Sequence, residues 1–197
     1  MHPEILILAA GASSRMRGGD KLLEPINAQP QLARIALAAI ATGCAVTVAL
    51  PPDRPARDAA LHGLCVRKVV VANPGDGMAA SLIAGLAVLT TDAPLLLLLA
   101  DLPEITAADL TQFLQDWRTT PDLILRATAQ DGTPGHPVGF PAWAKPALGG
   151  LTGDAGARAV LQQYRGQTRL VALPGTHATT DLDTPEDWAA WRALHRQ

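Results

Sequence analysis

Two apolar runs without alternation constrain this chain more than anything else in it. Ile5-Leu6-Ile7-Leu8-Ala9 lies near the start, and Leu95 to Ala100, five leucines and an alanine, near the middle. A strand with one wet face alternates apolar and polar residues. These runs do not alternate, so each reads as a strand covered on both faces, as in a parallel sheet between layers of helices. The segments after the first run fit that plan. A helix opened by Pro30 runs through Ile35, Leu37 and Ile40 to Gly43 as its C′ residue. A strand follows over 45–50, then a short helix over 56–61 and a third strand over 66–72. The β-α-β-α-β order predicts an α/β fold with right-handed crossovers. Further on, Met78, Leu82, Leu86 and Leu89 have helical spacing, and strands are predicted over 123–127, in the stretch ending at Phe140, and over 168–173.

The loop leaving the first strand changes chemistry abruptly. Ala10, Gly11, Ala12 and Ser13 are small enough to let backbone N–H groups approach a ligand, and the cations Arg15, Arg17 and Lys21 follow. Small-residue loops after a strand are where α/β folds hold phosphate, so this loop suits a nucleoside triphosphate. It is neither of two common phosphate motifs. Ser13 and Ser14 stand where a G-x-G-x-x-G fingerprint needs glycine, and Lys21 lies between Asp20 and Leu22 rather than in Gly-Lys-Ser/Thr. On spacing alone, a surface turn with incidental basic residues fits equally well.

The buried leucine run ends in Asp101-Leu102-Pro103. A carboxylate there sits in the crevice where open α/β sheets bind ligands. Mg²⁺ takes one or two carboxylates plus phosphate oxygens, so Asp101 can begin a metal site beside a triphosphate loop. Asp181 and Asp183, two apart, share a face if their segment is a strand, and a second carboxylate for Mg²⁺ can come from there. Thr106 to Asp109 resembles a capping box, and Thr184-Pro185-Glu186-Asp187 is helix-start chemistry. Asp154 is a natural N-cap, and Arg158 one turn later can meet an acceptor phosphate at that helix start. His136, held between Gly135 and Pro137, can be structural or substrate-facing; its residue type favours the structural role. Met78 reads as core packing. Ser81, early in its helix, reads by residue type as a cap or exposed polar residue.

Taken together, Leu8-Ala9-Ala10-Gly11, Ser13, Arg15-Met16, a short Gly-rich stretch and Lys21-Leu22-Leu23 resemble the opening signature of the MobA-like NTP transferase superfamily. Asp20-Lys21-Leu22-Leu23, with no proline before the lysine, is similar to the enzymes that nucleotidylate molybdopterin. The Leu-Ala-Ala-Gly form is similar to their MocA-like cytidylyltransferase branch. Gly77-Met78 through Ser81-Leu82 to Gly85-Leu86, Gly135-His136-Pro137-Val138 and Gly153-Asp154 through Gly156-Ala157-Arg158 extend the resemblance over nearly the whole chain. The resemblance implies a three-layer α/β/α Rossmann-like nucleotidyltransferase fold with a mostly parallel, mixed central sheet, spanning 1–197 as one domain. It implies nucleotide contacts from Ala9, Ala10, Gly11, Ser13, Arg15, Lys21 and Ser81, and acceptor contacts from His136, Asp154 and Arg158. Mg²⁺ would sit on Asp101 and Asp183, with Arg15, Lys21 and Asp101 catalytic. The implied reaction moves CMP from CTP to molybdopterin, and a molybdenum hydroxylase could receive the product. GTP as donor, a sugar or polyol phosphate as acceptor, and a non-catalytic cofactor carrier are the rivals. Leu102 departs from the family pattern, which usually has Gln there.

Composition narrows the partners. A formal net charge of −2 offers no field for a nucleic-acid backbone. Cys44 and Cys65 form no metal or disulfide spacing and read as buried free thiols. No signal-like segment begins the chain, and the longest apolar run falls short of a membrane span, so a reducing cytoplasm is the expectation.

Overall fold

A computed structural model describes residues 3–195 apart from 152, 154 and 155. Seven strands form one sheet: β1 (Glu4–Leu8), β4 (Val46–Leu50), β5 (Arg67–Val70), β6 (Leu95–Leu99), β7 (Ile124–Thr128), β8 (Pro134–Phe140) and β9 (Thr168–Ala172), in the order β5-β4-β1-β6-β8-β7-β9. All run the same way except β8, which is antiparallel to both β6 and β7. The sheet is therefore mixed but mostly parallel. The two unalternating runs, β1 and β6, pair with each other at its centre, Ile5 against Leu96 and Leu8 against Leu99.

Helices cover both faces, which accounts for the absent alternation. On one side α1 (Gln31–Ile40) and α4 (Ala107–Arg118) bury Leu32, Ile35, Leu110, Phe113 and Trp117 against Ile5, Ile7, Val48, Leu96 and Leu98. On the other, α3 (Met78–Leu86), α5 (Lys145–Gly149) and α6 (Arg158–Gln163) pack Leu82, Leu148 and Val160 against Leu6, Leu95, Leu97 and Phe140. Gly85 is required there: a Cβ would overlap the Leu6 side chain, so only glycine lets α3 lie this close to β1. The remaining helices are α2 (Pro55–Ala60) and α7 (Pro185–Leu194). A two-stranded hairpin, β2 (Pro25–Ile26) with β3 (Gln29–Pro30), turns through Asn27 and Ala28, both at positive φ.

Both predicted helix starts are present as complete capping boxes, Thr106 with Asp109 and Thr184 with Asp187. Three expectations need correction. Asp181 and Asp183 lie in an irregular segment and not on a strand, because the chain there turns from β9 into the α7 cap. Cys65 is exposed and Cys44 half-buried, so neither is a buried thiol. The first helix ends at Ile40, and Gly43 serves the turn beyond it at φ 76°. No helix among the described residues is long and apolar enough to cross a membrane.

Candidate active site

The carboxyl ends of β1 and β6 open on a cleft of about 430 Å³, lined among others by Ala10, Gly11, Lys21, Gly75, Ser81 and Asp101. Gly11 and Gly75 have nothing within 4 Å of where a Cβ would stand, so the rim beside them is open to a ligand. Ala9 and Ala10 are buried beneath that rim, and Ser81 is buried on the first turns of α3, facing it. Met78 lines the same cleft and is exposed, which corrects its reading as core.

At one end of this cleft the chemistry converges. Lys21 Nζ lies 2.6 Å from Asp101 Oδ2 and 2.6 Å from Asp183 Oδ1, while Arg15 Nη2 lies 2.7 Å from Asp183 Oδ2. Burial alone would lower the Lys21 pKa, but Asp101 and then Asp183 outweigh it and hold the ammonium above its ordinary value. Asp181 stands nearby, its pKa raised by burial and by Asp183 and Asp101. The basic loop and the carboxylates thus share one crevice, but the lysine touches both carboxylates directly. Arg17 turns outward to Glu186.

Each of these side chains is braced. Asp101 leaves β6 on a backbone clamped by α1: Gln31 Nε2 donates to the Ala100 carbonyl, and Arg34 donates to those of Leu102 and Ile105. Leu102 is buried in the core, so an apolar side chain at that position is a packing residue. Asp183 is brought in by a segment tied at Glu104, which accepts from Thr176 Oγ1 at 2.8 Å and Trp191 Nε1 at 3.0 Å, and at Asp109, 2.8 Å from His177 Nδ1. The signature loop is held from below by Arg57 of α2, which is fully buried. Its guanidinium donates to the Ala9 carbonyl at 2.6 Å, to both Asp20 oxygens at 2.7 and 2.9 Å, and to Ser13 Oγ at 2.9 Å. Ser13, at φ 52°, therefore spends its hydroxyl on Arg57 and Asp20. Despite burial, Arg57, the Leu22 amide and Ser13 hold the Asp20 carboxyl below its usual pKa.

His136 enters from β8. Because β8 runs backwards, its first residues reach the rim where β6 ends. The His136 amide donates to the Ala178 carbonyl at 2.9 Å, and a Cβ on Gly135 would overlap that same carbonyl. Gly135→Ala is expected to destabilise the fold by about 1–3 kcal/mol by overpacking, measurable by urea denaturation, and to displace both His136 and the segment carrying Asp183. Burial, and then the charge of Arg126, push the His136 pKa down to about 4 against a partial pull from Asp101. Since the unfolded imidazole titrates near 6.5, this residue's contribution to stability is full above that pH. It is lost as pH falls toward 4, at ~1.4 kcal/mol per unit. Thermal melts of wild type and His136→Gln between pH 7 and 4 should show the wild type losing more. Arg158 is the first residue of α6, beside Arg126 and outside the cleft that Lys21 and Asp101 line, and the N-cap of that helix is Ala157, where the sequence points to Asp154. Asp154 lies outside the described residues.

Residues 5–168 match the family described as MobA-like NTP transferase domain. The chain belongs to this family. Like other members of the MobA-like family, it is a nucleotidyltransferase with a Rossmann-like α/β fold. It is 30% identical over 189 residues to nicotine blue oxidoreductase from Paenarthrobacter nicotinovorans, with 92% of each chain covered. Among solved structures it is similar to Rv0371c from Mycobacterium tuberculosis H37Rv (TM-score 0.84, 28% identity, 97% of this chain and 98% of that one). The manganese complex of Rv0371c is also similar (TM-score 0.79, 26% identity, 96% and 97%).

Sequence reasoning missed Arg57, Gln31 and Arg34. An arginine in Pro-Ala-Arg-Asp-Ala-Ala reads as solvent-facing. The available signal was Asp20, a loop carboxylate next to Lys21 that burial obliges to find a partner.

Proposed function

We propose that this MobA-like enzyme transfers CMP from CTP to the phosphate of molybdopterin. An oxygen of the acceptor phosphate forms a bond to the α-phosphorus, the bond from that phosphorus to the bridging oxygen breaks, and pyrophosphate leaves. The observation that carries this reading is the meeting of Lys21, Asp101 and Asp183 at the end of the cleft. The nucleophile is already an anion, so no strong general base is needed, and catalysis consists of positioning and charge stabilisation. Arg15 and Lys21 exchange carboxylate for phosphate oxygens, holding the triphosphate and the departing pyrophosphate. Gly11 and its neighbours offer backbone N–H groups, and Ser81 faces the base and ribose.

Asp101 and Asp183 are the residues that would hold a divalent cation, Mg²⁺ in our reading. They fit one: both are hard oxygen donors that meet at Lys21, and Asp101 Oδ1 is buried with no hydrogen-bond partner. Among the described residues no group of three or more His, Cys, Asp or Glu forms a metal cage. The remaining ligands would be phosphate and water, as Mg²⁺ prefers. Bound there, a cation would supply Lewis-acid stabilisation of the charge that develops on phosphate oxygens. The manganese complex of Rv0371c supports a metal on this scaffold.

The Leu-Ala-Ala-Gly opening, with Ala10 buried under the rim, supports CTP over GTP. Chromatography of products from each NTP with Mg²⁺ and molybdopterin tests the proposal. Pyrophosphate and a cytidylylated pterin in equal amounts are expected from CTP. Turnover with GTP alone would reassign the donor, turnover only with sugar phosphates the acceptor, and pterin binding without pyrophosphate release would indicate a carrier. The 30% identity to nicotine blue oxidoreductase supports a second, redox reading. Consumption of nicotine blue by the purified chain, followed by absorbance with and without added reductant, would establish it.

A further inference from the structure

Met78 joins two parts of the molecule that lie far apart in the chain. It is the first residue of α3, directly after Gly77 at φ 83°, and 39% of it is exposed. It lines the cleft at the ends of β1 and β6, together with Gly75, Ser81 and Asp101. Its side chain also fills the space that a side chain on Gly156 would take. A Cβ there would lie 3.0 Å from Met78 Sδ, 3.7 Å from Cγ and 3.8 Å from Cβ. Gly156 is buried and at φ 50°, in the turn that leads into α6.

The elements on either side are packed, and the methionine is the adjustable piece between them. α3 buries Ala79 and Leu82, and its Gly85 lies against Leu6, which locks the helix onto β1. α6 buries Val160 in the same layer as Leu82. A methionine has three rotatable bonds and a polarisable thioether that follows the shape of its surroundings. Wedged between a packed turn and an open cleft, it takes its position from whichever of the two pushes on it.

We infer that Met78 is the wall against which the nucleotide seats, and that the turn at Gly156 sets where this wall stands. The inference rests on the reading given above for a nucleotide in this cleft, but not for its base or for the acceptor. A nucleotide that fills the cleft presses the thioether back onto Gly156 and holds the turn. A turn pushed forward drives the thioether into the cleft and weakens the nucleotide. By linkage the two effects are one coupling free energy seen from two ends.

Calorimetric titration of the full chain with Mg²⁺·CTP and with Mg²⁺·GTP tests this. Gly156→Ala places a Cβ 3.0 Å from Met78 Sδ and should weaken the better-bound nucleotide by about 5-fold or more, as overpacking pushes the methionine forward. Met78→Ala should weaken it by about 2–10-fold, the worth of one thioether contact. The double variant should bind as Met78→Ala does, because the added methyl then has nothing to push. The cost of alanine in left-handed backbone falls on the melting temperature, and the Met78 change does not restore it, so a merely structural effect is told apart from one on the cleft. Hydrogen exchange gives a second readout that leaves Gly156 untouched. Saturating nucleotide should slow the amides of 156–161 in wild type but not in Met78→Ala, while those of 9–22 slow in both. Nucleotide affinity within about two-fold of wild type in Gly156→Ala, or additive losses in the double variant, overturns the coupling. So does equal protection of 156–161 in wild type and Met78→Ala. Protection of 9–22 alone sinks the coupling and leaves the nucleotide reading standing, whereas no protection of 9–22 by either nucleotide sinks both.

Discussion

Asp101→Asn is expected to lower kcat for nucleotidyl transfer by about 10²–10³-fold, the range typical of removing one preorganised group that stabilises transition-state charge. The substitution keeps the size of the side chain and its half-buried position just past the end of β6. It removes the charge that faces Lys21 and turns one of the two oxygens into an amide NH₂, which leaves a cation a neutral and weaker ligand. Lys21 keeps its contact with Asp183, so the segment that carries Asp183 stays in place and the melting temperature should hold to within a few degrees. Steady-state rates over a range of Mg²⁺ concentrations, with melts run alongside, separate the two effects. A variant with wild-type kcat would remove Asp101 from the chemistry.

Arg57→Ala carries the largest expected loss of stability, about 3–5 kcal/mol, because it strands a charge. The Asp20 side chain is only 10% exposed and draws two of its hydrogen bonds from Arg57, and the Ala9 carbonyl loses its guanidinium donor as well. The signature loop, with Ser13 held in the left-handed region, loses its support from below. Chemical denaturation should show the deficit. The double variant Arg57→Ala/Asp20→Ala should be less damaged than the sum of the single changes, since the second removes the carboxylate that has lost its chief cation. Additive losses would mean that the pair is not the source of the cost.

How far the sequence speaks depends on whether a residue acts through its neighbours in the chain or through partners far away. β1 and β6 were legible because burial on both faces is written in consecutive residues. The two capping boxes were legible because the hydroxyl and the carboxylate that exchange hydrogen bonds are three residues apart. Asp101 was legible from its place at the end of a buried strand. Arg57 was not, since its partners lie 37 and 48 residues away. The bracing of Asp101 by Gln31 and Arg34 spans still more of the chain, 69 and 68 residues. The β2–β3 hairpin escaped notice because Asn27-Ala28 lacks the glycine that usually marks such a turn. The shared face considered for Asp181 and Asp183 was conditional on a strand, and a spacing of two over three residues is too short a stretch to distinguish extended chain from one.

The contact of Lys21 with both carboxylates bears on how any substitution at that position should be interpreted. Asp101 and Asp183 stand on segments 82 residues apart in the chain, and the ammonium between them is the clasp that lets two like charges share a wall before any ligand arrives. A Lys21 variant therefore removes a proposed hand for phosphate and at the same time leaves Asp101 without its cation and Asp183 with Arg15 alone. Its kinetic deficit will exceed the worth of one lost cation, and pairing it with Asp183→Asn should restore part of the lost stability in thermal melts while activity stays low.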